Sequence, residues 1–250
     1  MRQMTFVSPF QSPFVKPFPS EAVVAAAFDP LTLSPAIWYA FRDATTLYTD
    51  SGVTLVTADG DAVQQVTDKS GNGRYARQTT LASKPTYKTN IKNALSIVRT
   101  DGGDDLMSIT STSFSGDFTV FWVSNLTALG VAICGRAAST ESIRLSVPGA
   151  IRFKVTTDTI VTTNSFTTGA WHIAALRRAS GALTGYKNAT DITTGSPSNS
   201  ETLVIDTLFE AGSFSRWPGD TGEFIIFPSA LSASDMTSMW TYLNNLWAVY

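Results

Sequence analysis

The chain has one cysteine, Cys134, so an internal disulfide is excluded. It has one histidine, His172, so any Ser-His-Asp triad must use it. Charge is scarce as well: Asp, Glu, Lys and Arg make up 15% of 250 residues, and the formal net charge is −2. No basic face is implied, which leaves nucleic-acid binding without an electrostatic footprint. No apolar run approaches the length of a membrane span; Val23–Phe28 is far too short. Met1-Arg2-Gln3-Met4 leads into prolines rather than an apolar secretion signal, so synthesis and folding in a cytoplasm are expected. No Gly-rich phosphate cradle and no Cys/His metal cluster occurs, and no cofactor is expected.

What is present is apolar. Hydrophobic residues are 43% of the chain, enough for a sizeable core, and Thr, Ser and Asn are left to cover the surface. From Leu106 onward the rhythm is β. Asp117–Val123 alternates and then runs apolar, as a strand covered on both faces would. Ile151, Phe153 and Val155 alternate with Arg152 and Lys154. Further strands are predicted at Ala36–Phe41, Ile143–Val147, Ala170–Leu176, Ala182–Tyr186, Val204–Gly212 and Glu223–Phe227. Turns between them recur every 8–12 residues, the pattern of a sandwich or barrel. One helix is predicted over Ser232–Trp247. Ser232 caps it, Asp235 sits at its third position, and Met236, Met239, Trp240, Leu243 and Trp247 share one face.

Two loops carry distinctive chemistry. Asp68-Lys69-Ser70-Gly71-Asn72-Gly73 cannot hold a helix, and its glycines admit positive φ at no steric cost. Thr100–Leu106 is a second compact turn, and its Asp101, Asp104 and Asp105 are either turn hydrogen-bonders or calcium ligands. Trp38-Tyr39, the Asp68–Gly73 loop, Lys84-Pro85-Thr86-Tyr87 and Asp101–Leu106 follow one another in that order. Gly222–Phe227, Ala230-Leu231-Ser232, Tyr242-Leu243 and Trp247 close the chain. This series resembles the LamG-like jelly-roll modules of the concanavalin A-like lectin/glucanase superfamily, over roughly Ala36 to Trp247. The resemblance implies an all-β, two-sheet antiparallel jelly-roll sandwich over residues 36–250, with a short C-terminal helix. Modules of this spacing are frequent in phage virion proteins, so the resemblance also implies a virion location.

Residues 1–35 read as a separate extended arm. Phe6, Phe10, Phe14 and Phe18 alternate with Pro9, Pro13, Pro17 and Pro19, and proline at this density favours an extended, PPII-like backbone. Ser20–Ala27 could form a short helix capped by Ser20. The four phenylalanines are candidate anchors in the groove of another subunit, so other virion proteins and a homo-oligomer are the expected partners. The alternative is a strap folded back over its own domain. Catalytic residues are not expected: glucanases of the superfamily carry Glu-x-Asp-x-x-Glu on one strand, and none of Glu21, Glu141, Glu201, Glu210 and Glu223 begins that pattern. No metal site is expected. A host-surface glycan is a candidate small ligand, with Asn72, Arg74, Arg216 and Trp217 as candidate contacts. Trp217 either stacks on a sugar or seals the sandwich edge. The function expected is therefore a non-enzymatic capsid decoration or cement protein, or another head or tail component. A carbohydrate-binding, receptor-binding module of a tail fibre is the alternative.

Overall fold

The computed structural model describes residues 28–212 and 215–250. The predicted Ser20–Ala27 helix and the anchors Phe6, Phe10, Phe14 and Phe18 lie outside those residues. The first half of the chain forms strands β1 (Ile37–Ala40), β2 (Leu47–Tyr48), β3 (Gln65–Val66), β4 (Ala76–Arg77), β5 (Thr86–Lys92), β6 (Leu95–Asp101), β7 (Met107–Phe114) and β8 (Phe118–Leu126). The second half forms β9 (Val131–Gly135), β10 (Ser142–Ser146), β11 (Ala150–Lys154), β12 (Asp158–Ile160), β13 (Trp171–Ala179), β14 (Ala182–Lys187), β15 (Thr190–Asp191), β16 (Leu203–Leu208), β17 (Pro218–Phe227) and helix α1 (Ala233–Trp247).

The strands make two antiparallel sheets. One runs β15-β14-β13-β8-β17-β6-β5, with β1 also on β17; the other runs β12-β11-β10-β9-β16-β7-β4-β3-β2. This is a two-sheet antiparallel jelly-roll sandwich. Strand β17 is the centre of the first sheet: Pro218–Thr221 pairs with β6, Ala40 to Ile37 pairs with Glu223–Ile226, and β8 lies along its other side. Its start was expected at Glu223. Pro218–Thr221 reads as loop because Pro, Gly and Asp are poor strand formers, yet a proline at a strand's first residue costs no interior ladder bond.

The first sheet is covered on both faces, which explains the unbroken burial of Phe118–Ser124. Phe118, Val120, Trp122, Leu176, Phe224 and Ile226 point between the sheets against residues such as Met107, Ile133, Phe153 and Ile205. Phe121, Val123, Ile173, Ile225 and Phe227 point outward under Met236, Met239, Trp240, Leu243 and Trp247 of α1. The helix face predicted from its period is therefore its buried face, and Ser232 Oγ accepts from Asp235 N while donating to Asp235 Oδ2. The ring of Trp247 packs where a Cβ on Gly222 would lie 2.3 Å away, so only glycine permits that approach. Gly222 also sits at the register shift between Thr221 and Glu223.

Residues 28–35 belong with the sandwich rather than the arm. Phe28 and Leu33 pack on the helix-side core, Pro30 is buried, and Asp29 caps a single 3-10 turn over Pro30–Leu33. Apolar side chains next to an uncovered apolar surface gain more by docking than by solvation.

The Asp68–Gly73 loop joins β3 to β4 as expected. The Asp68 carboxylate is buried and accepts from Trp38 N, Ser70 N, Ser70 Oγ and Arg74 N, which pins the loop to β1. Gly71 and Gly73 have φ of +83° and +69°, and a Cβ on either would meet no atom within 4 Å. Gly71→Val and Gly73→Val should each therefore cost about 1–3 kcal/mol through backbone strain alone. Thermal melts would check this; wild-type melting of both variants would remove the positive-φ explanation.

Candidate ligand-binding cleft

The four candidate ligand contacts separate into two groups. Asn72 and Arg74 come together with Leu31, Pro35, Thr112 and Phe114 in a cleft of about 490 Å³. Their polar atoms are committed to the fold: Asn72 Nδ2 donates to Pro35 O and Ala36 O at 3.1 Å each, and Arg74 Nη1 donates to Ala36 O at 2.9 Å. They fasten the loop to the chain entering β1. Trp217 is fully buried, with Nε1 donating to Thr221 Oγ1 at 3.0 Å, so it seals the sandwich and stacking on a sugar is ruled out. Of the two readings of Trp217, its polar loop sequence favoured neither. Arg216 pairs with Glu210 at 3.0 Å.

Asp101, Asp104 and Asp105 bring one carboxylate oxygen each to within 4.8 Å of one another. Each is used in the turn. Asp101 Oδ1 accepts from Gly103 N, Asp104 Oδ2 from Ser83 Oγ, and Asp105 Oδ2 from Asp101 N. Burial pushes Asp105 up to about 6, and the neighbouring Asp101 and Asp104 charges act in the same direction. His172 is buried, not turned to solvent; its Nε2 meets Thr167 O at 3.2 Å and its ring abuts Phe166 edge-on. Burial, then Lys187, pulls its pKa below the usual histidine range, so it is neutral near pH 7. Its role here is packing and one hydrogen bond.

The site that sequence spacing did not reveal lies on the outer face of the first sheet, just past the end of α1. Residues directly opposite one another across antiparallel strands share a face. Trp171 pairs with Asn125, Asn125 with Asp220, Asp220 with Arg99, and Arg99 with Thr86. One row thus crosses β13, β8, β17, β6 and β5. On the helix side of this row the outward residues are mostly apolar and covered, with the paired Glu223 among them; at the row itself Asn125, Asp220 and Arg99 are polar. A cleft of about 420 Å³ opens there, lined by Arg99, Asp101, Asn125, Thr127 and Asp220.

The cleft is rigid. Asp220 is almost fully buried and holds Arg99 with two bonds, Nε–Oδ1 at 2.6 Å and Nη2–Oδ2 at 3.0 Å. Trp171 stacks on Trp247 with centroids 5.7 Å apart and planes 17° apart, which ties the row's aromatic end to the helix. Asn125 Oδ1 is buried and has no hydrogen-bond partner among the described residues. A buried amide oxygen without a partner normally costs about 1–3 kcal/mol. Asn125, Asp220 and Arg99 are planar groups, each with two or more coplanar polar atoms, on strands about 4.8 Å apart.

No protein-family profile matches this chain. No curated protein matches it either. Among solved structures, domain 4 of AbnA, a GH43 extracellular arabinanase from Geobacillus stearothermophilus in complex with arabinotriose, is similar with TM-score 0.57 and 15% identity. The likeness covers 82% of this chain and 98% of that one. The binding domain of Paraclostridial Mosquitocidal Protein 1 has TM-score 0.49 and 16% identity, over 72% of this chain and 50% of that one. At such identities what is shared is the fold. The arabinanase domain is matched over nearly its whole length, so the two share the β-sandwich fold.

Proposed function

We propose that this chain is a non-enzymatic binding module that holds a neutral saccharide in the Arg99–Asn125–Asp220 cleft. The observation that carries the reading is the cleft itself, whose polar groups Arg99, Asp101, Asn125, Thr127 and Asp220 gather on the outer face of the first sheet. A saccharide hydroxyl both donates and accepts, so neighbouring hydroxyls accept from the Asn125 amide and from Arg99 and donate to Asp101. The cleft offers Arg99 against Asp220 and Asp101, so it has no excess positive charge for an anionic sugar. The arabinanase domain of the same fold was solved with a neutral oligosaccharide, which supports the class of ligand without fixing its identity. From the order of the loop motifs we also propose display on a phage particle, where a host-surface glycan is the ligand encountered; immunolabelling of purified particles tests that placement.

A glycan array probed with the full chain should show neutral oligosaccharide hits. Asn125→Ala should weaken the best hit about tenfold, the equivalent of one hydrogen bond, with the melting temperature kept. Binding that is unchanged in both Asn125→Ala and Arg99→Ala would move the ligand elsewhere. Release of reducing ends from any bound saccharide would overturn the non-enzymatic reading.

A further inference from the structure

A further concave surface, of about 450 Å³, lies on the solvent side of α1, apart from the Arg99–Asn125–Asp220 cleft. It is lined by Phe28, Thr237, Thr241, Tyr242, Asn245 and Leu246. Its chemistry is unusual for an exposed helix. Across Ala233–Trp247 the only charged residue is Asp235, in the first turn, so the groove side is made of threonine, serine, asparagine and apolar groups. Tyr242 is fixed in place: its hydroxyl accepts from Arg42 Nη2 at 2.9 Å, and its ring meets Phe28 and Trp38 edge-on with centroids 6.1 and 6.3 Å away. The groove is a preformed, aromatic-walled, uncharged trough.

The chain itself indicates the occupant. Phe28 is one wall of the trough, so residues 1–27 join the sandwich at its mouth. Those residues contain Pro9-Phe10, Pro13-Phe14 and Pro17-Phe18, a phenylalanine every fourth position. In an extended proline-rich backbone that interval spans about 12 Å, at about 3.1 Å per residue. The trough runs along the helix from Thr237 to Leu246, about 13 Å at about 1.5 Å per residue. Two successive phenylalanines of the repeat therefore match its length. Lys16 is the one charge between Phe10 and Phe18, and the trough places no cation against it. We propose that the Pro-Phe segment of the same chain, residues 9–18, is the ligand of this trough and lies along α1 as a strap. Attachment through the covalent junction at Phe28 gives it a high effective concentration there, ahead of any separate partner.

Chymotrypsin tests the proposal on the full chain. It cuts after aromatic residues, and Phe10-Gln11 and Phe14-Val15 are the cleavable bonds of the repeat, because Phe18 is followed by proline. Thr241 is exposed on the helix surface, so Thr241→Arg puts a long cation in the trough without touching the core. Cleavage at the two bonds, read by mass spectrometry, should be at least tenfold faster in Thr241→Arg than in wild type. The protection in wild type should not change on dilution. Equal rates in the two proteins would overturn the proposal. Protection that disappears on dilution would overturn it in favour of the same segment from a second copy, and protection appearing only with another particle protein present would assign the segment to that partner.

Discussion

Arg178→Met is expected to destabilise the domain by more than about 4 kcal/mol, in the range reserved for broken buried networks. Arg178 is 1% exposed and forms no ion pair with a carboxylate among the described residues. It instead donates to three main-chain oxygens: Gly116 at 2.8 Å from Nε, Glu201 at 2.6 Å from Nη1, and Phe114 at 2.8 Å from Nη2. Its guanidinium also lies 4.7 Å from the Phe118 ring centroid and 5.6 Å from that of Phe153. Arg178 is on β13 of one sheet, whereas Phe114 ends β7 and Glu201 precedes β16 of the other. One side chain therefore clamps the two sheets at this end of the sandwich. Methionine fills the volume but leaves three carbonyls without a donor, each worth about 1–3 kcal/mol, and removes the cation–π contacts. Part of that loss is offset because a buried charge is no longer desolvated; burial already holds this guanidinium below its usual range. Arg178→Lys should rescue little, since an ammonium is a point donor and cannot span the three acceptors. Urea denaturation measures both variants. A loss under about 1 kcal/mol for Arg178→Met would mean the carbonyls find other partners and the clamp is not needed.

The second large effect concerns Glu223, which is completely buried on the helix side of the sheet. It accepts from Arg42 Nε at 2.6 Å and from Trp38 Nε1 at 2.9 Å. Arg42→Ala should cost about 3–5 kcal/mol, because it leaves a buried carboxylate with a single neutral donor. Glu223→Leu in the Arg42→Ala background should recover most of that loss, since the unpaired charge is then gone. The single variant should also acquire a pH dependence. Burial pushes Glu223 up, and Arg42 is the strongest pull in the other direction. Without Arg42 its folded pKa lies further above the ordinary value, so the folded state binds the proton more tightly than the unfolded chain. Stability in Arg42→Ala then falls as pH rises through that raised pKa, and the deficit is smaller at pH 5 than at pH 8. A deficit independent of pH, with no recovery in the double variant, would show that Arg42 acts only through its packing and its bond to Tyr242.

These two residues also mark the limit of what could be read from the chain. Alternation placed the strands around Ile151, Phe153 and Val155, and the helical period of Met236, Met239, Trp240, Leu243 and Trp247 named the buried face of α1. Ser232 with Asp235, and Gly71 with Gly73, signalled a cap and a positive-φ loop, and both are present. Periodicity could not show that Glu223 and Arg178 are buried charges, because a charged residue in an alternating strand reads as a solvent-facing one. Nor could it show that Pro218–Thr221 continues a central strand, or that Trp217 points inward. The strand rhythm, the cap and the loop were determined by the sequence by itself, because each depends on residues within one turn or one strand of each other; the jelly-roll class was implied by the resemblance in motif order. The clamp of Arg178, the ion pair of Arg42 with Glu223 and the row Trp171–Asn125–Asp220–Arg99 were decided only by tertiary structure. Their members are far apart in the chain, Arg42 and Glu223 by 181 positions, and what brings them together is strand register. Register is fixed by the packing of whole faces, and a shift of one residue would turn every one of these side chains to the opposite side of its sheet.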